Sequence, residues 1–501
     1  MERRTALKVL GIGIGGAFAL AGGGLGVYYA AAKRDTAGRI GFDSALAVPP
    51  LAGSAPGEAG SRVFTLGLRS GETAFKEGAA TRTWGVNGAY LGPTVRARRG
   101  EEVAFAVRNE LDQETSLHWH GMHLPAAMDG GPHQTVAPGG TWEPRWRIDQ
   151  QAATLWYHPH VHGATGDHTY RGLTGLFIVD DDATDALNLP SEYGVDDIPM
   201  IVQDRAFDRD NQFEERIPLA GSLGVIGDEI LVNGTLGPYF DVTTGLVRLR
   251  LLNGSNARLY NFGFSDDRAF SLVATDGGLL AEPWETDRLH LSPGERAEIV
   301  VAFEPGETVD LRSYPSPEYG GASGRLDGFA DLLDICRFRA ADTLSDDTEV
   351  PAVLGAAPDL AAEAVAQERS FVLASDRIND RSMAMDRIDF GVREGTVEVW
   401  EVTNDNGYLH NFHVHDVQFQ VLTVDGETPP PHLRGWKDTV MVAQGRRYRL
   451  AMRFGGHTDP NMPYMYHCHL LQHEDDGMMG QFVVLGEGEE VGAVPAAHDH
   501  A

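Results

Sequence analysis

Short segments in which apolar and polar residues alternate recur along the chain, as in Val103-Ala104-Phe105-Ala106-Val107 and Val247-Arg248-Leu249-Arg250-Leu251. Alternation sends successive side chains to opposite faces, so each segment is predicted to be a strand with one face on a core. Gly, Pro, Asn and Asp punctuate these segments, which is the pattern of β-sandwiches. A longer period lies over the short one. Asn87-Gly88, Gly92-Pro93, Gly100 and Asn109 recur as Asn233-Gly234, Gly237-Pro238, Gly245 and Asn253, and a degenerate third copy runs Gly395, Val397, Val399, Asn404. The spacing of Gly100, Gly245 and Gly395 is about 150 residues, the size of one domain. The expectation is an all-β chain of three similar sandwiches in tandem.

Composition places the boundaries. The three sandwiches are expected at residues 46–182, 190–345 and 366–487, with a Pro/Ala/Gly-rich linker around residues 47–60. Asp180-Asp181-Asp182 closes the first, and an Ala/Asp/Glu-rich stretch over residues 340–368, helical in part, joins the second to the third. Residues 488–501 lack apolar periodicity and read as a disordered tail, with His498 and His500 solvated.

The N-terminus carries Arg3-Arg4-Thr5-Ala6-Leu7-Lys8, an uncharged Gly-rich stretch over residues 9–32, and then Lys33-Arg34-Asp35. Residues 1–35 read as an export signal, placing the protein in the periplasm or at the cell surface. The arginine pair resembles a twin-arginine signal, which makes the twin-arginine export machinery an expected partner. An ordinary basic signal or an uncleaved anchor is the alternative, since residues 9–32 are long enough to span a bilayer.

Charge removes one class of partner. With 72 Asp and Glu against 41 Lys and Arg, and a formal net charge of -31, the chain repels phosphates and anionic membranes, which argues against nucleic acid. The two cysteines would by default pair in an exported protein. Cys468, however, sits between two histidines, and Cys336 lies in Asp334-Ile335-Cys336-Arg337-Phe338, an alternating stretch with Ile335 or Cys336 turned inward. Cys336 is therefore expected to be a buried free thiol.

The 19 histidines are unevenly placed, with only His290 between Asp182 and Glu368. The flanking regions hold four clusters: His118-Trp119-His120, His158-Pro159-His160, His410-Asn411-Phe412-His413-Val414-His415, and His467-Cys468-His469 followed by His473 and Met478. In a strand, residues i and i+2 share a face, so each His-x-His pair can present two imidazoles to one place. Applied to His467-Cys468-His469, this sends both imidazoles to one side and the thiolate to the other, so that one tripeptide can join two sites. A thiolate, two imidazoles and a long thioether contact describe a blue-copper centre, and Cys468, His410, His473 and Met478 supply that set. Zinc would favour a closed His/Cys tetrahedron without the Met. His123, His133, His162, His168, His432 and His457 have no paired partner and are assigned supporting or surface roles.

These residues resemble the multicopper oxidases, in particular the bacterial copper-efflux oxidase, spore-coat laccase and bilirubin oxidase group. The resemblance rests on His118-Trp119-His120-Gly121, Trp156-Tyr157-His158-Pro159-His160, Gly435-Trp436-Lys437-Asp438-Thr439-Val440 and residues 467–479. It implies three cupredoxin-like Greek-key β-sandwiches and four copper ions. The type 1 ion would sit at His410, Cys468 and His473 with Met478 axial, and the type 2 ion at His118 and His413. The type 3 pair would sit at His120, His158, His160, His415, His467 and His469. The second domain would be a spacer without ligands. Asp129 and Glu474 match the family's proton-supplying carboxylates, although Asp129 alone reads as a turn residue before glycines. Dioxygen and a small reducing substrate are the implied partners.

Cuprous-ion oxidases of this group carry methionines just upstream of the position of His410. Here that stretch is Asn404-Asp405-Asn406-Gly407-Tyr408-Leu409, and Met383 and Met385 lie earlier, reading as core. A laccase-like oxidation of phenols, aromatic amines or bilirubin-like compounds is the leading expectation. A cuprous oxidase, a copper nitrite reductase, a copper-buffering protein and a cell-division scaffold are the alternatives.

Overall fold

The computed structural model describes residues 33–215, 222–319, 324–345, 348–356 and 359–495. Residues 1–32 of the signal predicted over 1–35, and the tail histidines His498 and His500, lie outside them. Strands dominate, and they build three β-sandwiches in tandem. Each sandwich closes on its own core: one around Phe105, Trp119 and Phe177, one around Phe262, Val300 and Phe338, and one around Trp400, Phe412 and Phe482.

The repeat seen in the sequence is one of hydrogen bonds. Asn87 accepts from Gly67 N and donates to Thr65 O, and Asn233 accepts from Ile201 N and donates to Pro199 O. Both sit at positive φ, a region that Asn enters more readily than most residues, and the side chain there ties the turn to a strand distant in sequence. The third sandwich has the same device at Asn379, which accepts from Val372 N and donates to Ser370 O; it is absent from the degenerate sequence copy because no glycine follows it. A second asparagine repeats three times without loss. Asn109, Asn253 and Asn404 each donate to two backbone carbonyls and accept from the amide two residues on. Each is buried and satisfies three main-chain groups, and for Asn253 all three bonds are themselves buried.

Several expectations are corrected. The 47–60 stretch is not a free linker: Ser54–Pro56 pairs with Arg62–Thr73, and Leu51 bridges Thr94. Upstream of it, Ser44–Ala45 adds to the second sandwich, in register with Pro238 and Tyr239, and Asp35 bridges Leu332. The strand Leu333–Ser345 runs well into the expected 340–368 linker, whose described helical content is one 3-10 turn, Leu360–Ala362. Ile335 and Cys336 are both buried, because a bulge opposite Leu311 and Arg312 breaks the alternation there. Cys336 is free.

Two sheets position the chemistry. In the first sandwich, His118–His120 pairs antiparallel with Ala153–His158, setting His118 against His158 and His120 against Trp156. In the third, His410–Val414 lies between Tyr464–His467 and Thr439–Val442, with His413 opposite both His467 and Thr439.

Candidate metal centres

The histidine-bearing edges of the first and third sandwiches face each other. His118 stacks on His415 with ring centroids 3.9 Å apart, and His120 on His413 at 3.8 Å. His118, His120, His158, His160, His413, His415, His467 and His469 are thereby gathered in one place, none more than 1% exposed.

Hydrogen bonds decide which nitrogen of each ring is left bare. His118 Nδ1 donates to Asp129 O (2.9 Å) and His413 Nδ1 to Asp438 O (2.8 Å), leaving two buried Nε2 atoms without a partner. His415 Nδ1 donates to Asp129 Oδ2 (2.7 Å), and the Nε2 atoms of His160 and His415 each lie 3.2 Å from Nε2 of His467. On the other side, His158 donates through Nδ1 to Pro159 O, and its Nε2 is 3.4 Å from both His120 Nδ1 and His469 Nε2. His120 is turned the opposite way, with Nε2 donating to Asp438 Oδ1 at 3.1 Å.

Lone pairs aimed at one another across such distances repel unless a cation lies between them. A metal–nitrogen bond of about 2 Å puts tetrahedral neighbours about 3.3 Å apart, which is the spacing found. The orphaned Nε2 atoms and the converging trios therefore fit bound metal. Burial, reinforced by the neighbouring imidazoles, holds His120, His158, His413 and His415 well below the usual histidine range. Burial likewise lowers His469 to about 3. Neutral imidazole is the form that ligates a metal.

A second group lies behind the first. Cys468 Sγ is 3.5 Å from His410 Nδ1 and 3.7 Å from His473 Nδ1, and these two nitrogens are 3.1 Å apart. His473 Nε2 donates to Ser222 O (2.8 Å), which frees its Nδ1 for the sulfur side. Burial pushes the Cys468 thiol up to about 12, so a thiolate there requires a bound cation. Cys468 N donates to Met478 O at 3.1 Å, and Met478 is fully buried in the third core. The strand ends at His467, yet His467 and His469 both join the eight-imidazole group while Cys468 joins the other.

The two carboxylates singled out in the sequence are both at the cluster. Asp129 bonds His415 as above, with its other oxygen 3.3 Å from His118 Nδ1. Glu474 Oε1 is 3.4 Å from His160 Nδ1 and Oε2 is 3.3 Å from His467 Nδ1. Burial acts to raise the Glu474 carboxyl, and the imidazoles of His160 and His467 outweigh it, holding it well below the usual range.

The remaining histidines are elsewhere. His123 pairs with Asp416, His133 with Gln481 and His168 with Thr115; His432 lies against Trp284, His457 is half-buried with its ring 4.9 Å from that of His123, and His162 is exposed. Sequence reasoning gave no role to Asn411, Asp438 or Arg296. Asn411 Nδ2 donates to Pro293 O, while its Oδ1 accepts from His469 N. Asp438 lay within a quoted motif, but its contact with His120 crosses between sandwiches and leaves no local signal.

Family models described as multicopper oxidase match residues 68–184, 207–310 and 357–487. The cell division protein FtsP of Salmonella typhimurium is 36% identical over 89% of this chain and 94% of its own length. The multicopper oxidase mco of Staphylococcus haemolyticus is 35% identical over 87% of this chain and 91% of its own. Among solved structures, a laccase from Pediococcus acidilactici has a TM-score of 0.81 at 33% identity, covering 89% of this chain and 94% of that one. The laccase-like multi-copper oxidase CueO from Ochrobactrum sp. has a TM-score of 0.79 at 37% identity, covering 88% and 100%. This chain belongs to the multicopper oxidase family, whose metal, copper, is the ion that these imidazole clusters are suited to hold.

Proposed function

We propose that the protein is an exported, laccase-like oxidase that couples one-electron oxidation of phenols, aromatic amines or bilirubin-like compounds to reduction of dioxygen to water. Four copper ions would be held: a type 1 ion by His410, Cys468 and His473 with Met478 as a further ligand, a type 2 ion by His118 and His413, and a type 3 pair by His120, His158, His160, His415, His467 and His469. Bound copper supplies one-electron acceptance at the first site and the four-electron, four-proton reduction of dioxygen to two waters at the others.

The observation that carries this reading is the placement of Cys468 between His467 and His469, with its sulfur in one group and both neighbours in the other. Three consecutive residues form the covalent link between electron entry and the eight imidazoles. His473 and Tyr408 form the donor side: the Tyr408 ring is 5.1 Å from His410 and 5.8 Å from His473, and Asp376 lies 4.0 Å from His473 Nε2. An aromatic ring and a carboxylate suit an aromatic donor better than a soft metal ion, and residues 404–409 offer no thioether. Asp129 accepts from His415 Nδ1, and Glu474 lies 3.4 Å from His160 Nδ1 and 3.3 Å from His467 Nδ1, so both are placed to pass protons into the cluster. Export fits the N-terminal sequence; no helix among the described residues is long and apolar enough to cross a membrane.

The FtsP relatives favour a second reading, a cell-division scaffold. Such a role needs neither the ten histidines nor Cys468. Copper-loaded protein should contain four ions, show an intense blue band, and consume oxygen with a phenol or aromatic amine faster than with cuprous ion, and with no turnover of nitrite. Folded protein that binds no copper would favour the scaffold, four bound ions without oxygen uptake a copper-buffering protein, and absence of the blue band would refute the type 1 assignment.

A further inference from the structure

The second sandwich contributes no histidine to either metal group, yet it reaches toward them at several points, Pro293 through Asn411, Ser222 on His473, and one buried guanidinium. Arg296 is fully buried and uses every donor of its fork. Nε donates to Thr154 O in the first sandwich (3.0 Å), Nη1 to Gly294 O (3.0 Å) and Asp438 Oδ1 (2.7 Å), and Nη2 to Asp276 O (3.1 Å) and Asp438 Oδ2 (2.6 Å). The pair with Asp438 is bidentate and charge-assisted, the geometry that fixes orientation as well as distance.

Asp438 then acts on two ligand rings. Its Oδ1 accepts from His120 Nε2 at 3.1 Å, leaving Nδ1 bare, and its carbonyl accepts from His413 Nδ1 at 2.8 Å, leaving Nε2 bare. Thr439 Oγ1 also lies 3.1 Å from His120 Nε2 and itself donates to Asp438 Oδ1, so the carboxylate is the charged member of a pair of acceptors that turns Nε2 of His120 away from the cluster while the neighbouring His158 presents its Nε2. A separate observation marks the same spot. Gly121, directly after His120, sits at φ +86, and a Cβ there would lie 2.6 Å from both Arg296 Nη2 and Asp438 Oδ2. The backbone leaving His120 therefore passes against the ion pair, and only glycine fits.

Plain interdomain adhesion is the competing account, and Arg250 shows what it looks like. Arg250 is equally buried between the first two sandwiches, bonding Asp197, Glu298 and Thr154 Oγ1, and it touches no histidine. Arg296 differs in that its chain of contacts ends on a ligand nitrogen.

We infer that Arg296 is a positioning residue through which the ligand-free second domain, acting on Asp438, sets which nitrogen of His120 faces the copper cluster. The inference rests on the eight-histidine copper reading proposed above. Substituting a residue that orients a ligand typically costs about 10- to 100-fold in metal affinity or activity.

The test compares Arg296→Lys, Asp438→Asn and Arg250→Lys with the native protein, each loaded with copper. Copper content, the visible blue band and the electron paramagnetic resonance of cluster copper are read beside oxygen uptake. Arg296→Lys keeps the charge but cannot form the fork. Expected for both Arg296→Lys and Asp438→Asn are an unchanged blue band, an altered cluster resonance or reduced cluster copper, and an oxygen uptake about 10- to 100-fold lower. Arg250→Lys should lose stability to urea and keep its cluster resonance. The inference is overturned if the Arg296 and Asp438 variants keep the native cluster resonance and copper content, if Arg250→Lys perturbs them equally, or if the blue band collapses together with the cluster. Failure of the native protein itself to bind more than the blue copper would instead refute the copper assignment on which the inference stands.

Discussion

Glu474→Gln separates proton supply from electron entry. Glu474 lies on the short helix Leu471–Asp475 beside His473, yet the two side chains serve different sites. His473 turns to Cys468, and Glu474 turns to the cluster, 1% exposed, with its oxygens 3.4 Å from His160 Nδ1 and 3.3 Å from His467 Nδ1. The imidazoles outweigh burial and keep it a carboxylate, so it can accept from both rings at once. Glutamine is isosteric but has one acceptor, and its NH2 would confront the other ring N–H. Loss of one contact to a charged group is worth about 1.5–3 kcal/mol, or roughly 10- to 100-fold in rate where that contact is made in the limiting step. Stopped-flow should show the blue band bleaching under anaerobic donor within twofold of native. Oxygen uptake should fall by about 10- to 100-fold, with a larger solvent isotope effect. Uptake within twofold of native and an unchanged isotope effect would refute the proton role, and slowed bleaching would relocate the effect to electron entry.

Cys468→Ser should abolish the blue band and oxygen uptake while preserving the far-ultraviolet dichroism of a folded β-protein; a surviving band would contradict the assignment. His123 is drawn down by burial but held at about 9 by Asp416, whose Oδ1 lies 2.7 Å away. A raised histidine stabilises fully below its unfolded value near 6.5, and the contribution is lost as pH rises through 9. His123→Gln should therefore lower the unfolding free energy by about 1–3 kcal/mol at pH 6 and hardly at all near pH 10, and an equal loss at both pH values would count against the ion pair. Asn253→Ala strands three buried main-chain groups and should cost about 3 kcal/mol in urea denaturation; a change under about 0.5 kcal/mol would show that the groups find other partners. Cys336→Ala should leave copper content and the blue band untouched, in keeping with a thiol that burial raises and that has no part in either site.

What the sequence made legible follows from periodicity. Alternation located the strands, and the i, i+2 rule placed His118 with His120, because a strand carries that geometry within a few residues; His467 and His469 also join one group as that rule predicts, although the strand ends at His467. The asparagine repeat was legible for the same reason, each copy making the same local bonds, but only where the accompanying glycine survived. Asn379 performs the work of Asn87 and Asn233 with Asp380 after it, so the pattern failed where the hydrogen bonds did not. The reverse error occurred near the N-terminus. Proline and alanine made residues 47–60 look like a linker, whereas Ser54–Pro56 is an edge strand, a place where proline costs no ladder bond.

Ring orientation lay beyond the sequence for a different reason. A histidine's identity does not say which nitrogen will be bare; that is set by what the other nitrogen meets, and for His120, His413 and His415 the partner comes from a distant segment. Asp129, on a turn of the first sandwich, orients His415 of the third. Asp438, on the third, orients His120 of the first and is itself held by Arg296 of the second. These contacts run in both directions across the same interface, so neither outer sandwich can present its imidazoles correctly without the other. The cluster is therefore a property of the assembled chain. On the inference drawn for Arg296, the middle copy of the repeat, which contributes no histidine to either group, shares in setting that geometry.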